Sequence, residues 1–245
     1  LQQQGFDYTY DKRLYDYLIY QDRSQVRRHL LGVSPAFLSA STHFLENHDE
    51  PRIASILQPG PHQAAALLTL GLPGMRLLHD GQLSGSRIKL PVQLARRPRE
   101  PVDQEIAGFY HRLLRALPTT AVGQGRWELP AIRPAWPENR TNQDILAVQW
   151  QAAEDQFDLV VVNLADHRSQ GYVTLGIPSI SRHNWILRDL LGTEEYQRCG
   201  DDLQNQGLYL DIPPHAAPRV PVQPLGEPKP GSSRPGAPVT PPARF

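Results

Sequence analysis

The chain has 245 residues, with 25 Lys plus Arg against 25 Asp plus Glu, and a formal charge of zero argues against a general binder of nucleic acid or anionic membrane. No apolar run approaches the ~20 residues that cross a bilayer. The one cysteine, Cys199, forms neither an intramolecular disulfide nor a multi-cysteine metal site and assigns no compartment, so localisation stays unassigned, while a start at Leu1 with the lone methionine at Met75 is expected of a downstream piece of a longer protein.

Residues 5–10 (GFDYTY) are short and aromatic, like a strand, and run into DKRLYDYL, where Leu14, Tyr17 and Leu18 share a helical face. Ser24 is a candidate N-cap for a second helix that turns Val26, Leu30 and Leu31 inward and closes at Gly32. Residues 42–45 read as a strand giving way to the polar cluster Glu46, Asn47, His48, Asp49 and Glu50. Past Gly60 and Pro61, HQAAALLTL predicts a helix stopped by Gly71, and MRLLH (75–79) a strand ended by Asp80 and Gly81. A longer helix is expected over 102–117, with Val102, Ile106, Phe109, Leu113 and Leu117 on one face. Strand and helix thus alternate three times, the mark of parallel βαβ units.

After Pro118 the pattern changes to short runs: ILAVQW (145–150), LVVVNL (159–164), GYVTL (171–175), WILRDL (185–190) and LYLDI (208–212). Turn residues separate them without a useful helix, which predicts an antiparallel β-sandwich, expected to fold by itself from about 125 to 215. Eleven of the 24 prolines fall between Pro213 and Pro242, so the chain from 219 onward is expected to be a disordered tail. The division is therefore 1–120, 121–218 and 219–245.

The segment THFLENHDEPRIAS (42–55) carries the chemistry. Its apolar strand delivers Asn47, His48 and Asp49 to a C-terminal strand end, where catalytic groups collect in parallel barrels. A carboxylate beside an imidazole there can bond vicinal sugar hydroxyls, coordinate a metal or act as an acid/base pair, or it can merely cap the next turn. Spacing does not choose among these. Glu46 receives no role, since its side chain can point toward either layer. The basic cluster Arg87, Lys89, Arg96, Arg97 and Arg99 reads as a solvated loop. No Gly-rich phosphate loop, zinc pattern or EF-hand loop occurs, and His111, His183 and His215 stand apart from other ligand types.

FLENHDEPR resembles the fourth signature segment of the α-amylase superfamily, glycoside hydrolase family thirteen: an apolar strand, then Asn-His-Asp, then often an Arg. Two more stretches stand in order, with GFDYTYDKRLYDYL (5–18) similar to the family's sixth-strand region and GLPGMRLLHDGQLSG (71–85) to its eighth-strand segment. The resemblance runs to about residue 215. It implies a partial (β/α)8 TIM barrel, strands six to eight, followed by an antiparallel β-sandwich domain. It also implies a C-terminal fragment of a glycoside hydrolase or glucanotransferase that acts on α-glucans or α-linked oligosaccharides by a retaining mechanism.

By the same resemblance Asp49 stabilises the oxocarbenium-like state of the sugar and His48, with Asn47 beside it, binds that sugar. Arg52 fits the position that follows, where it is expected to pair with a carboxylate such as Glu50. Tyr8 and Tyr10 are candidate sugar platforms, and His79, Asp80 and Gln82 candidate cleft residues, although many family members carry Glu where this chain has Leu83. Retaining cleavage needs a nucleophilic and an acid/base carboxyl ~5 Å apart. The family's Gly-x-Arg-x-Asp segment and Glu-ended strand, which supply them, do not occur here, so the chain alone is expected to be inactive. The expected partners are an α-glucan or oligosaccharide and the upstream half of its own barrel, with neither nucleic acid nor membrane. No cofactor is identifiable, and calcium is implied only for the full-length parent. The alternative is a non-catalytic, amylase-like carbohydrate-binding or scaffold protein; a metal-dependent hydrolase using His48 and Asp49 lacks further ligands nearby.

Overall fold

A computed structural model of the chain describes residues 1–225 apart from 92, 94, 95, 97, 154, 155, 178, 179, 217 and 218. The first region runs β1 (Thr9–Tyr10), α1 (Lys12–Ile19), α2 (Arg23–Gly32), α3 (Pro35–Ser39), β2 (Ser41–His43), α4 (Ile53–Ile56), α5 (Pro59–Gly71), β3 (Met75–Arg76) and α6 (Gln104–Ala116). Side chains fix where its helices start. Asp11 accepts the Leu14 amide at 3.2 Å, Ser34 that of Phe37 at 3.2 Å, and Asp103 that of Ile106 at 3.1 Å. Each such cap contributes about 1 kcal/mol. The cap of α2 is Asp22, which accepts from Gln25 N, rather than the expected Ser24, whose hydroxyl instead donates to the Asp22 carboxylate.

The three strands form a parallel sheet with β2 in the middle, pairing Thr9 with Ser41 and Thr42 with Met75. Each is shorter than the sequence predicts, because β1 and β3 have a strand neighbour on one side only. Phe6 and Tyr8, expected within the first strand, precede it and are exposed. Gly74 makes the entry into β3 with φ at 91°, where a Cβ would sit 2.4 Å from the Ser41 carbonyl oxygen. Only glycine tolerates both conditions.

The second region contains β4 (Arg126–Glu128), β5 (Ile132–Pro134), β6 (Ile145–Ala153), β7 (Gln156–Asn163), β8 (Ser169–Val173), β9 (Asn184–Arg188), β10 (Glu195–Cys199), α7 (Gly200–Gln206), β11 (Leu208–Ile212) and β12 (Arg219–Leu225). A six-stranded sheet, β10-β9-β12-β7-β6-β4, and a three-stranded sheet, β11-β8-β5, are antiparallel throughout. Ile145, Phe157, Leu159, Val161 and Trp185 of the larger sheet meet Val173, Leu208, Leu210 and Ile212 of the smaller in one core.

One expectation is corrected here. The tail does not begin at 219, because β12 runs to Leu225 and lies between β7 and β9. Its prolines, Pro221 and Pro224, lack N–H groups, yet two flanking strands hold the segment through its other donors and its carbonyls. Residues 226–245 of the expected tail lie outside the described residues. The β-rich piece packs against the first region. Leu146, Val148, Trp150, Val160 and Val162 alternate with the inward set of β6 and β7, and they pack into the core of the helices. The LVVV run is thus buried on both faces, which is why it shows no polar alternation. The Trp150 indole donates to the Gly71 carbonyl at 2.8 Å, and the Ala121 amide donates to Asp158 at 2.6 Å. A Cβ on Gly71 would lie 2.8 Å from Val160 Cγ1, so α5 lies directly on the sheet.

Candidate functional site

Strand β2 ends at His43, and Phe44 and Leu45 carry the chain through the core to Glu46. Glu46 is completely buried (0% exposed). Its Oε1 accepts from Arg52 Nη1 at 2.7 Å, and its Oε2 accepts from the Ile53 amide, which opens α4, at 2.7 Å. Arg52, 6% exposed, also donates to the Asp80 carbonyl, lies 2.9 Å from His79 Nδ1, and reaches the Ile88 carbonyl through Nε at 3.4 Å. One ion pair therefore ties together three loops.

The turn above this brace is built by Asn47, whose Oδ1 accepts the amides of Asp49 at 2.8 Å and Glu50 at 3.0 Å. An Asx turn of this kind substitutes a side chain for a backbone carbonyl. It leaves Asn47 buried and sends the next two side chains outward, His48 57% and Asp49 72% exposed. His48 Nε2 and Asp49 Oδ2 are 3.3 Å apart, and the Lys89 ammonium donates to the Asp49 carbonyl. An imidazole and a carboxylate presented together on a rigid turn can donate to and accept from neighbouring hydroxyls of one ligand.

The structure thus brings Asn47, His48, Asp49 and Arg52 together but separates their tasks. Arg52 faces inward as a brace, and its partner is Glu46 rather than Glu50. A fully buried carboxylate demands a charge partner, whereas Glu50, whose side chain is 18% exposed, takes Lys12 Nζ at 3.3 Å. Gln82 is likewise buried instead of lining an open cleft. Its Oε1 accepts the His79 amide at 3.1 Å, its Nε2 donates to the Tyr110 hydroxyl at 2.8 Å, and that hydroxyl lies 3.0 Å from His62 Nε2. Burial pushes the Tyr110 phenol upward and His62 down to about 4. Tyr8 lies apart from the 46–52 loop, in an open groove of about 610 Å³ beside β1 that Phe6, Tyr10 and Phe37 also line. Tyr10 packs on Phe44 with centroids 4.9 Å apart.

Glu46 is the member of this assembly to which the residue types gave no role. The available signal was a carboxylate directly after the apolar pair Phe44–Leu45, with an arginine six positions on. A second buried cluster also escaped notice: Asp11, besides capping α1, has His29 Nε2 at 2.9 Å and His43 Nδ1 at 3.8 Å, and burial pushes His43 down. Among the described residues, no group of three or more His, Cys, Asp or Glu side chains is placed to hold a metal ion. No helix among them is long and apolar enough to cross a membrane.

No family model matches the chain, and no curated protein matches it. Solved structures do. A maltogenic α-amylase from Thermotoga neapolitana superposes with a TM-score of 0.66 at 19% identity, over 89% of this chain and 51% of its own. The α-amylase of Geobacillus thermoleovorans, solved with acarbose, gives 0.64 at 15% identity, over 89% and 48%. That of H. orenii gives 0.61 at 20% identity, over 89% and 49%. The chain has an α-amylase-like fold. It spans about half the length of the α-amylases it matches. In this chain the exposed His48–Asp49 pair lies beyond the C-terminal end of β2, the central parallel strand.

Proposed function

We propose that this chain is the substrate-gripping C-terminal portion of an α-amylase-type glycoside hydrolase or glucan-transferring enzyme. Its first region would supply strands six to eight of a (β/α)8 barrel, and its second the β-sandwich that follows. Asp49 would stabilise the distorted, positively charged sugar of a retaining double displacement, and His48 would bind hydroxyls of the same sugar. The nucleophile and the acid/base carboxyl would come from the upstream half of the barrel, through the edges that β1 and β3 leave open.

The observation that carries this reading is the outward pair of His48 and Asp49 on a turn locked by Asn47 and by the buried Glu46–Arg52 bridge. Stabilisation of developing charge needs groups held in place before the reaction, and a braced turn provides that. Supporting the choice of ligand, related folds have been solved with acarbose, maltose and maltotriose. Arg52 and Gln82 serve the site from beneath, as positioning residues.

The test compares the chain alone with the longer reading frame that contains it, using maltooligosaccharides. The chain alone should give no turnover. The longer protein should give turnover that Asp49→Asn lowers by about 10²–10³-fold. Turnover by the longer protein that is indifferent to Asp49→Asn would refute the assignment. Sugar binding without any turnover would instead favour a non-catalytic carbohydrate-binding protein.

A further inference from the structure

The outer face of the three-stranded sheet carries a feature that the 46–52 loop does not use. On β5, β8 and β11 the inward residues Ile132, Val173, Leu208 and Leu210 are core. The outward positions that pair across the strands are Arg133, Tyr172 and Tyr209. The two tyrosine rings lie 5.2 Å apart, and the Arg133 guanidinium sits 5.9 Å from the Tyr172 ring while donating to the Gln206 carbonyl. Just past the end of β5 stands Trp136, 48% exposed, whereas Trp150 and Trp185 are core residues. Arg133, Tyr172 and Trp136, together with Pro134, Pro137, Asn205 and Gln206, line an open groove of about 520 Å³.

We propose that this groove is a second carbohydrate-binding site, which stacks a linear oligosaccharide of neutral pyranose units on Trp136 and Tyr172. A pyranose presents a flat C–H face ringed by hydroxyls. Its natural receptor is a rigid aromatic surface with donors and acceptors at the perimeter, and Trp and Tyr offer such area at low entropic cost. The groove supplies both. Pro134 and Pro137 flank the Trp136 turn and restrict its backbone. Arg133 contributes N–H donors, and the amides of Asn205 and Gln206 offer donors and acceptors alike. The groove's size falls in the range of about 300–1,000 Å³ usual for small-molecule sites.

The charge of the lining selects the ligand class. Among the described residues no Asp or Glu lines the groove, which leaves a cationic ligand without a counter-charge. The one cation among the described lining residues, Arg133, is already engaged by the Tyr172 face and the Gln206 carbonyl, which disfavours an anion. Strand packing accounts for the tyrosine pair, since cross-strand aromatics add a few tenths of a kcal/mol to 1 kcal/mol. It does not account for Trp136, which lies outside the strand and on which no other aromatic ring stacks among the described residues. Choosing a glucose oligomer as the probe rests on the reading of the preceding subsection; the site itself does not.

The test is titration of the full chain with maltoheptaose and with cellohexaose, followed by tryptophan fluorescence and calorimetry. Saturable binding is expected for at least one of them. Trp136→Ala and Tyr172→Ala should each weaken it by about tenfold or more, and Trp136→Phe should weaken it less. Trp136 lies in no core, so its variants should melt with the wild type; Tyr172→Phe, which keeps the ring, guards against a folding defect at the other position. The proposal is overturned by absence of saturable binding to both sugars, or by binding that survives the Trp136→Ala/Tyr172→Ala double variant. Binding lost in Asp49→Ala but kept in Trp136→Ala would overturn it while sustaining the reading of the 46–52 loop.

Discussion

The two regions of this molecule solve the problem of strand edges in opposite ways. The parallel sheet has strands of two, three and two residues, and each outer strand has one neighbour. The antiparallel region has strands of up to nine residues in two sheets that face each other across a shared core. Short strands with open edges contribute little by themselves. The first region is therefore held mainly by its helices and by the outward face of β6 and β7, on which α5 lies. The loop that carries His48 and Asp49 is thus fixed by a local brace, inside a region that leans on its neighbour.

Cutting the neighbours apart should give the largest effect. A piece spanning 121–225 exposes Leu146, Val148, Trp150, Val160 and Val162, and it should bind a hydrophobic dye and lose cooperative unfolding. A sharp, independent melt of that piece would break the comparison. Next in size, Glu46→Ala strands the buried Arg52 charge and should cost about 3–5 kcal/mol in urea unfolding. If it costs no more than a surface substitution, the brace is not structural.

A smaller effect depends on pH. His62 has its pKa lowered from 6.5 to about 4 by burial, so the unfolded chain takes up its proton first as pH falls. The share of stability that His62 supplies, about 3 kcal/mol, should be fully present above about pH 6.5, decline between 6.5 and 4, and be lost below. Subtracting the profile of His62→Gln from that of the wild type isolates this share. Identical profiles would show that the site does not hold a neutral imidazole. The smallest effect belongs to the rim, where Asp49→Asn should change stability by less than about 0.5 kcal/mol. A large loss there would mean that the exposed carboxylate holds the fold.

Much of this was legible in the sequence where a pattern is local. The faces of α1 and α6, the alternation of strand and helix, and the run from Phe44 to Asp49 all declare themselves within a dozen residues. Strand length did not, because a ladder continues only as far as its neighbour does, and neighbours lie 30 or more residues away in β1, β2 and β3. β12 was hidden by its prolines, and its place between β7 and β9 is a tertiary fact. The partner of Arg52 was ambiguous because Glu46 and Glu50 both lie within reach, and only burial decides between them. Gln82 looked like a cleft residue because its partner, Tyr110, is 28 positions away on α6.

The contact of Gly71 with Val160 also bears on how such a molecule can change over generations. A side chain at 71 has no room while valine occupies 160, and a larger residue at 160 has none while α5 keeps its present seat. Neither position drifts alone. Exchange of the β-rich region as a cassette, between proteins that share this architecture, succeeds only where the incoming sheet brings a surface cut to the same helix.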